Sequence, residues 1–305
     1  MEVEPPGRQP VDRIPEVDGD ESSIPGLVNP VPLVQRLALT QERDDRFIGY
    51  PPCGFDQRVF GGHLVAQALL AAAGTIQPGR VVSSLHAYFL RSGRPEEALD
   101  YAVTTIRDGR SSAVRSVTVT QAERVLMTLS ALFAEHREDI DTRSVLPPQV
   151  PRPEDLVPLH ERRTAVPDRW DGINRPTREH WWTASRPLDV RYIDDDAPGR
   201  RFWFRAEAVD GGPQNLHRAI VAFASDRSLL PVIVKERGAV DSASVPKVSS
   251  VDHALWFHGD VRAGEWLLYV QDSPHSTERF GTARGLIHSS DGAVVASVVQ
   301  QGLLH

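Results

Sequence analysis

One order of predicted elements, a helix followed by a run of strands, occurs twice along this chain of 305 residues. Such a repeat restricts the fold more than any other feature of the sequence, because each copy has to bury the apolar face of its own sheet. Two copies in one chain predict an α+β protein. Each copy is expected to form a unit in which an antiparallel sheet wraps around a helix.

The first copy begins with a helix at residues 61–73, which starts at the pair Gly61-Gly62. Apolar residues recur there at helical spacing, namely Phe60, Leu64, Val65, Ala68, Leu69 and Ala72. Turn signals such as Asp108-Gly109 separate the runs that follow. These runs predict strands at residues 81–90, 99–106, 111–120 and 124–133.

The second copy opens with a strand at residues 201–208 and continues with a helix. The residues that mark this helix are Leu216, Ala219, Ile220, Phe223 and Ala224. Asp291-Gly292 predicts a hairpin turn between the last two strands. The predicted strands are residues 249–258, 266–271, 282–288 and 294–301.

Two segments lie outside these copies. Residues 1–28 are rich in Pro, Asp and Glu and poor in aromatic residues, a composition that predicts a disordered tail. Prolines cluster again among many charged residues at 139–187, which predicts a linker. We therefore expect an N-terminal unit at 29–138 and a C-terminal unit at 188–305.

Charge and cysteine content exclude several classes of function. The formal net charge is −7, whereas nucleic-acid binding depends on clustered Lys and Arg, so we expect no nucleic-acid partner. Cys53 is the only cysteine. This excludes an intrachain disulfide and a cysteine-based zinc site, and it predicts a reducing, cytoplasmic location. No stretch reaches the roughly 20 consecutive apolar residues that cross a bilayer, so we expect no membrane span.

Polar residues that occur in only one of the two copies are candidates for chemistry, because residues shared by both can simply maintain the fold. Asp226 falls opposite Ala73 when the two helices are aligned. It also follows the helical stripe of Ala219 and Phe223. A carboxylate on an apolar stripe is either a general base or an acid near a helix end that pairs with Arg227.

Gln300 is the second such residue. It falls opposite Ala131, on an apolar face of the last predicted strand. Its amide needs a hydrogen-bond partner if that face is buried, and needs none if the strand meets solvent at Gln300-Gln301. Ser250 has a serine, Ser84, opposite it, so the comparison of the copies singles it out least clearly.

Other polar groups carry weaker signals. Cys53 lies beside two prolines in a predicted loop, which favours an incidental thiol over a nucleophile. His253 points away from Asp252 and His258 on its strand, and the latter two lie about 20 Å apart. We therefore expect hydrogen-bonded packing there and no metal. Gly61-Gly62 at a helix start suits either close packing or a phosphate, and no Gly-x-Ser-x-Gly nucleophile motif is present.

Two ordered sets of short motifs span the chain. The first copy contains Val59-Phe60-Gly61-Gly62-His63, Leu85-His86-Ala87-Tyr88-Phe89-Leu90-Arg91 and Arg107-Asp108-Gly109. The second contains Ala224-Ser225-Asp226, Asp252-His253-Ala254-Leu255-Trp256-Phe257-His258, Glu265-Trp266-Leu267-Leu268-Tyr269 and Val298-Val299-Gln300. In this order and spacing the motifs resemble the acyl-CoA thioesterase II family of double-hotdog proteins, from about residue 30 to residue 305.

The resemblance implies that each copy is a hotdog, a curled antiparallel sheet around one long helix, and that the two pack sheet to sheet within the chain. It implies an acyl-CoA substrate, no cofactor or metal, and association into homodimers or larger homo-oligomers. It also implies a catalytic trio in the second copy, which falls on Asp226, Ser250 and Gln300. The family position of Ser250 is often Thr, and serine keeps the hydroxyl.

The implied reaction is hydrolysis of a fatty acyl-CoA thioester by direct attack of water. Asp226 would accept the water's proton while Ser250 and Gln300 hold the water or the carbonyl, and backbone N–H groups of a neighbouring turn would stabilise the oxyanion. Two rival functions stay open. A hotdog hydratase or dehydratase would need a His acting with Asp226, and none neighbours it in sequence. A non-catalytic acyl-CoA sensor would lose the trio.

Overall fold

The structure is a computed structural model, which describes residues 31–51, 58–135, 147–161, 187–194, 197–207, 209, 211–237 and 248–305. The predicted tail at 1–28 lies outside the described residues, as do Cys53 and most of the predicted linker. The part of the linker that is described accepts hydrogen bonds from the second half of the chain. The Trp203 indole donates one to the Pro151 carbonyl at 3.0 Å. Arg191 donates one to the Pro153 carbonyl at 2.7 Å.

Four α-helices lie wholly within the described ranges: α1 (Leu33–Arg36), α2 (Gly61–Ala73), α3 (Gln214–Ser225) and α4 (Leu229–Glu236). Helix α2 is almost entirely buried, including the polar side chains of His63 and Gln67. The helices α2 and α3 pack against each other, and α4 packs on the sheet of the second half. None of the described helices has the length and apolar character that a bilayer crossing requires.

The first half contributes six strands: β1 (Leu39–Arg43), β2 (Arg46–Gly49), β3 (Arg80–Phe89), β4 (Leu99–Asp108), β5 (Ser112–Gln121) and β6 (Arg124–Glu135). The second half contributes seven: β7 (Asp189–Ile193), β8 (Arg200–Arg205), β9 (Val248–Ser250), β10 (Asp252–Phe257), β11 (Leu267–Ser276), β12 (Phe280–His288) and β13 (Val294–Leu304). Across the described chain these strands form one antiparallel sheet in the order β1-β2-β4-β5-β6-β3-β10-β13-β12-β11-β8-β7, with β9 beside β13.

The two halves meet where β3 pairs with β10. Leu85 lies opposite Leu255 in this antiparallel pair, so the two predicted sheets are joined edge to edge rather than stacked as separate layers. Helix α2 contacts β3, β4, β5 and β6, and the second half carries α3 and α4 in the corresponding place. The architecture is the predicted double hotdog, with its two sheets continuous across the junction.

The periodicity of the sequence predicts most of these elements well. Helix α2 has the predicted bounds, and the strands of the first half differ from prediction by at most two residues at each end. The sequence analysis does not predict α1, α4, β1, β2 or β7, which are short. The predicted strand at 249–258 is interrupted at Val251, which separates β9 from β10.

Candidate active site

Asp226 lies at the end of α3. The helix ends at Ser225, and Asp226 is its C-cap residue, with φ of −75°. Two residues later Ser228 adopts the left-handed conformation, with φ of 56°, and α4 begins at Leu229. The break between the two helices places a partly exposed carboxylate at the junction of α3 and α4, next to a core of apolar residues.

Gln300 lies inside β13 and is fully buried. Ala296 and Val298 are buried on the same face of the strand, as the alternation of a β-strand requires. The strand continues to Leu304, so the alternative that Gln300 meets solvent at the strand end is wrong. A buried amide on an apolar face must find hydrogen-bond partners.

A β-bulge controls the placement of Ser250. Ser250 pairs with Gly302 in the β9–β13 ladder, whereas Ala254 pairs with Val299 in the β10–β13 ladder. The strand carrying Ser250 therefore has one residue more than β13 over this stretch, and the phase of its side chains changes there. Val251, at the break, donates its N–H to the Gln301 carbonyl at 2.9 Å.

The structure brings Asp226, Ser250 and Gln300 together. The Gln300 amide nitrogen, Nε2, donates to the Asp226 carboxylate at 2.7 Å and to the Ser250 hydroxyl at 2.9 Å. Because an amide nitrogen carries two hydrogens, Gln300 can serve both partners at once. Residues that are 50 and 74 positions from Gln300 in sequence thus share one polar cluster.

The start of α2 forms the other side of this cluster. A Cβ atom placed on Gly61 would lie 2.7 Å from Asp226 Oδ2, the oxygen that does not bond to Gln300. The His63 and Leu64 N–H groups both reach back to the Phe60 carbonyl. The N–H groups of Gly61 and Gly62 have no partner inside the helix, as is general for a helix start. The first half of the chain therefore supplies backbone donors beside the carboxylate of the second half.

Comparison with family models shows to which family the chain belongs. Residues 51–134 match the family model for the acyl-CoA thioesterase N-terminal domain, and residues 153–304 match the model for the acyl-CoA thioesterase C-terminal domain. The chain belongs to the acyl-CoA thioesterase II family. It is accordingly an acyl-CoA thioesterase, which is a hydrolase. Its two halves correspond to the N-terminal and C-terminal domains of the family.

Individual relatives support the same assignment. The thioesterase is 29% identical to acyl-coenzyme A thioesterase 8 from Mus musculus over 94% of this chain and 93% of the relative. It is 29% identical to acyl-CoA thioesterase 2 from Haemophilus influenzae, over 82% of this chain and 88% of the relative. Among solved structures, the acyl-CoA thioesterase II TesB2 from Mycobacterium marinum aligns with a TM-score of 0.72 at 31% identity, over 90% of this chain and 98% of that chain.

The bulge changes how the two halves of the thioesterase should be matched. In the first half the equivalent bulge lies between Val82 and Ser84 on β3. Matching the halves on their bulges sets Ser250 against Val82, so the alignment of Ser250 with Ser84 in the sequence analysis is wrong by two residues. Ser250 is therefore also a polar residue with an apolar counterpart, and the sequence analysis misses this because the strand pairing that fixes the match is not visible in the sequence.

His253 also belongs to this cluster, although the sequence analysis assigns that residue only to packing. Its ring is fully buried, and Nε2 lies 2.8 Å from the Ser225 hydroxyl. Burial lowers the pKa of His253, while the charges of Asp226 and Asp252 and a hydrogen bond with Gln300 act in the opposite direction. A His therefore does lie beside Asp226 in the fold, although none neighbours it in sequence. The bulge turns both Ser250 and His253 toward the helices.

The other polar residues of the motif lie on the opposite face of β10. Asp252 pairs with His86 of β3 at 3.3 Å, and the His258 ring lies 2.7 Å from the Ser297 hydroxyl. Both histidines are exposed, and His258 makes the hydrogen bond to a neighbour that the sequence analysis expects. Among the side chains that the structure describes, no three His, Cys, Asp or Glu residues come together as metal ligands would.

Proposed function

We propose that the enzyme hydrolyses fatty acyl-CoA to a free fatty acid and CoA by direct attack of water, with Asp226 as general base. The observation that carries this proposal is the Gln300 amide, which bonds to both the Asp226 carboxylate and the Ser250 hydroxyl. This arrangement holds an acceptor and a hydroxyl side by side at the partly exposed end of a helix. A thioester needs little more than an oriented water and a base.

The two Asp226 oxygens have different roles in the proposed reaction. Oδ1 accepts the hydrogen bond from Gln300, which leaves Oδ2, the oxygen beside Gly61, to accept the water's proton. The water oxygen then bonds to the carbonyl carbon of the thioester. When the tetrahedral intermediate collapses, the carbon–sulfur bond breaks and protonated Asp226 returns its proton to the CoA thiolate. Ser250 orients the water, and Gln300 positions Ser250 and Asp226.

The N-terminus of α2 is the proposed oxyanion site. The N–H groups of Gly61 and Gly62 have no intrahelical partner, and the helix start carries a partial positive charge that stabilises a developing oxyanion. A Cβ on Gly62 would collide with the Phe223 carbonyl of α3 and with the Phe60 ring. Glycine at this position therefore permits the contact between α2 and α3 that sets these donors against Asp226.

Aromatic rings beside the cluster support a fatty acyl chain as the substrate group. The Phe60 and Phe223 rings pack edge to face, with their centroids 5.1 Å apart. The Phe89 ring would lie 3.1 Å from a Cβ on Gly61. An apolar acyl chain gains free energy in proportion to the area that such rings remove from water. The polar groups at Asp226 would then meet only the thioester end of the substrate.

The test is turnover of fatty acyl-CoA by Asp226→Asn. The amide keeps the size of the side chain and removes the base, so we expect kcat to fall by about 100-fold or more, with the unfolding temperature unchanged within about 2 °C. Asp272→Asn is the matched control, since Asp272 is an exposed carboxylate on β11 that pairs with Arg284. Free-thiol release and enoyl-CoA hydration are measured together. Near-normal thiol release by Asp226→Asn, or hydration as the main activity, would overturn the proposal.

We further propose that the units run from 29 to 138 and from 188 to 305, and that the enzyme is a cytoplasmic homo-oligomer. The single cysteine supports a reducing compartment. Tyr88 and Trp256, on the outer face of the sheet next to the junction, are 49% and 46% exposed, which supports burial against a second copy. Light scattering of the purified chain would give the oligomeric state directly.

A further inference from the structure

Two buried polar atoms of the site lack a hydrogen-bond partner of ordinary geometry among the described residues. They are Nδ1 of His253 and Oε1 of Gln300. Both side chains are fully buried, and an unsatisfied polar atom in that position destabilises the fold. Such atoms in a native fold call for an explanation.

The two atoms complement each other chemically. A neutral imidazole donates from one ring nitrogen and accepts at the other, and an amide oxygen only accepts. Ala254 pairs with Val299 between β10 and β13, so His253 and Gln300 lie next to each other on neighbouring strands. A hydrogen bond with the Gln300 side chain is accordingly one of the effects on the pKa of His253. Because burial dominates and lowers that pKa, the ring is neutral and carries one hydrogen.

Only one placement of that hydrogen satisfies both ring nitrogens. With the hydrogen on Nδ1, the ring donates to Gln300 Oε1, and Nε2 accepts from the Ser225 hydroxyl at 2.8 Å. With the hydrogen on Nε2, two lone pairs would face each other between His253 and Gln300. The Ser225 hydroxyl also lies in position to donate to the Ala222 carbonyl at 2.9 Å, as it would in the second arrangement, whereas in the first arrangement its single proton goes to His253.

We propose that His253 is a positioning residue that fixes the amide orientation of Gln300. A chain of hydrogen bonds then runs from the Ser225 hydroxyl to His253, from His253 to Gln300, and from Gln300 to Asp226 and Ser250. His253 touches neither the water nor the substrate in this arrangement and acts through Gln300. The inference rests on the proposed function, since it says what holds Gln300, one of the three residues of that function, in place.

The orientation of the amide matters because its two ends are opposite in character. The Gln300 nitrogen donates to Asp226 and Ser250, whereas a rotated amide would set its oxygen against the Asp226 carboxylate. Two acceptors in contact repel, and the general base would move away from the water. An apolar residue in place of His253 removes the donor that keeps the amide oxygen on its own side.

Three substitutions of His253 test the proposal, because the new side chains differ in where they carry a hydrogen-bond donor. The Asn side-chain nitrogen reproduces Nδ1, the Gln side-chain nitrogen reproduces Nε2, and Leu has neither. We expect kcat to fall about 10-fold to 100-fold in His253→Leu and His253→Gln, the range found for residues that orient metal-ligating histidines. His253→Asn should retain kcat within about threefold, with little change of KM in all three. Equal losses in Asn and Gln variants would overturn the proposal.

A double-mutant cycle with Gln300→Leu separates this proposal from the proposed function. If His253 acts through Gln300, adding His253→Leu to Gln300→Leu should cause no further loss of kcat. Losses that multiply would overturn the positioning role and leave the proposed function standing. Full turnover by Gln300→Leu alone would instead overturn the role of Gln300 in the proposed function.

The tautomer of His253 gives a test that does not depend on the activity of any variant. Nitrogen-15 spectra of the wild-type imidazoles report which ring nitrogen carries the hydrogen, and His253→Asn assigns the signal. We expect a neutral ring protonated at Nδ1 at pH 7.5. A ring protonated at Nε2 would contradict the proposal, whatever the activities of the variants.

Discussion

The absence of a side chain at Gly61 keeps the Asp226 carboxylate in place. A Cβ there would lie 2.7 Å from Asp226 Oδ2 and 3.1 Å from the Phe89 ring. The carboxylate would have to move, because real Cβ atoms do not approach an oxygen so closely. Gly61 is the first residue of α2, where alanine suits the backbone at least as well as glycine.

Gly61→Ala should therefore separate activity from stability. We expect kcat for acyl-CoA to fall by about 100-fold, since a displacement of about 1 Å at a reacting group can cost that much. The unfolding temperature should stay the same or rise. Steady-state kinetics and thermal unfolding of the same preparation check both expectations.

Gly62→Ala is the contrasting variant. A Cβ on Gly62 would collide with the backbone carbonyl of Phe223, which cannot move as a side chain can, so this variant should lose about 1–3 kcal/mol of stability. An unchanged kcat in Gly61→Ala would show that the Asp226 carboxylate tolerates displacement and that its position is not critical.

Single residues also show how far the sequence predicts the site. Asp226 and Gln300 stand out because their counterparts in the first half are Ala73 and Ala131. The same comparison fails for Ser250, because only the strand pairing shows that its counterpart is Val82 and not Ser84. It misses His253 because the sequence pattern is the same for two kinds of buried histidine. One kind only packs in the core, and the other supports a site.

Among the elements, α2 carries a buried titratable group of its own. His63 is fully buried, and neither ring nitrogen has a hydrogen-bond partner of ordinary geometry in the described ranges. Burial lowers the pKa of His63 from 6.5 to about 4, and contacts with Tyr50 and Gln67 offset only part of this shift. The folded state thus holds this ring neutral well below the pH at which the unfolded chain protonates it.

The lowered pKa of His63 makes a prediction about acid stability. Between pH 6.5 and about 4 the unfolded chain binds a proton at His63 that the folded protein does not, so the free energy of unfolding falls as the pH falls. The loss from this residue should reach about 2 kcal/mol at pH 5. It is absent above pH 6.5 and complete below about 4.

His63→Leu isolates this contribution in urea unfolding at pH 7.5 and pH 5. When the pH falls from 7.5 to 5, the free energy of unfolding of the variant should rise by about 2 kcal/mol relative to that of wild type. The pKa values of three other buried histidines, His217, His253 and His288, are also lowered, and they are present in both proteins. Parallel pH dependence of wild type and variant would show that His63 is not the group responsible.

The whole molecule depends on contacts that cross between the halves. Asn215 of α3 accepts a hydrogen bond from the Val82 N–H at 2.9 Å and donates one to the Arg80 carbonyl at 3.1 Å. The buried Arg218 donates to the Val82 carbonyl and to the Gly259 carbonyl at 3.0 Å. A helix of the second half thus satisfies the backbone at the start of β3, next to the junction of the two sheets.

Asn215→Ala should weaken this junction by about 2 kcal/mol, because it leaves two backbone groups of β3 without their partner. Gln214→Ala is the matched control, since Gln214 makes the same two kinds of hydrogen bond to Val261 within the second half. Amide hydrogen exchange at Val82 should accelerate in Asn215→Ala and stay unchanged in Gln214→Ala. Equal exchange in both variants would show that Asn215 does not hold the halves together.

Local order in this protein follows from the sequence by itself. Helical spacing of apolar residues predicts α2, alternation and turn glycines predict most strands of both halves, and the repeat of that pattern predicts two α+β units in one chain. These signals depend on residues a few positions apart, so they can be seen in the chain before it folds.

Only the tertiary structure decides which distant groups meet. It joins β3 to β10 edge to edge, ends α3 at Asp226, sets the start of α2 against that carboxylate, and turns His253 toward Ser225. Each of these contacts joins segments whose approach depends on how all the elements pack, and no local pattern encodes that approach. The polar residues of the site are visible in the sequence, and their arrangement is a property of the fold.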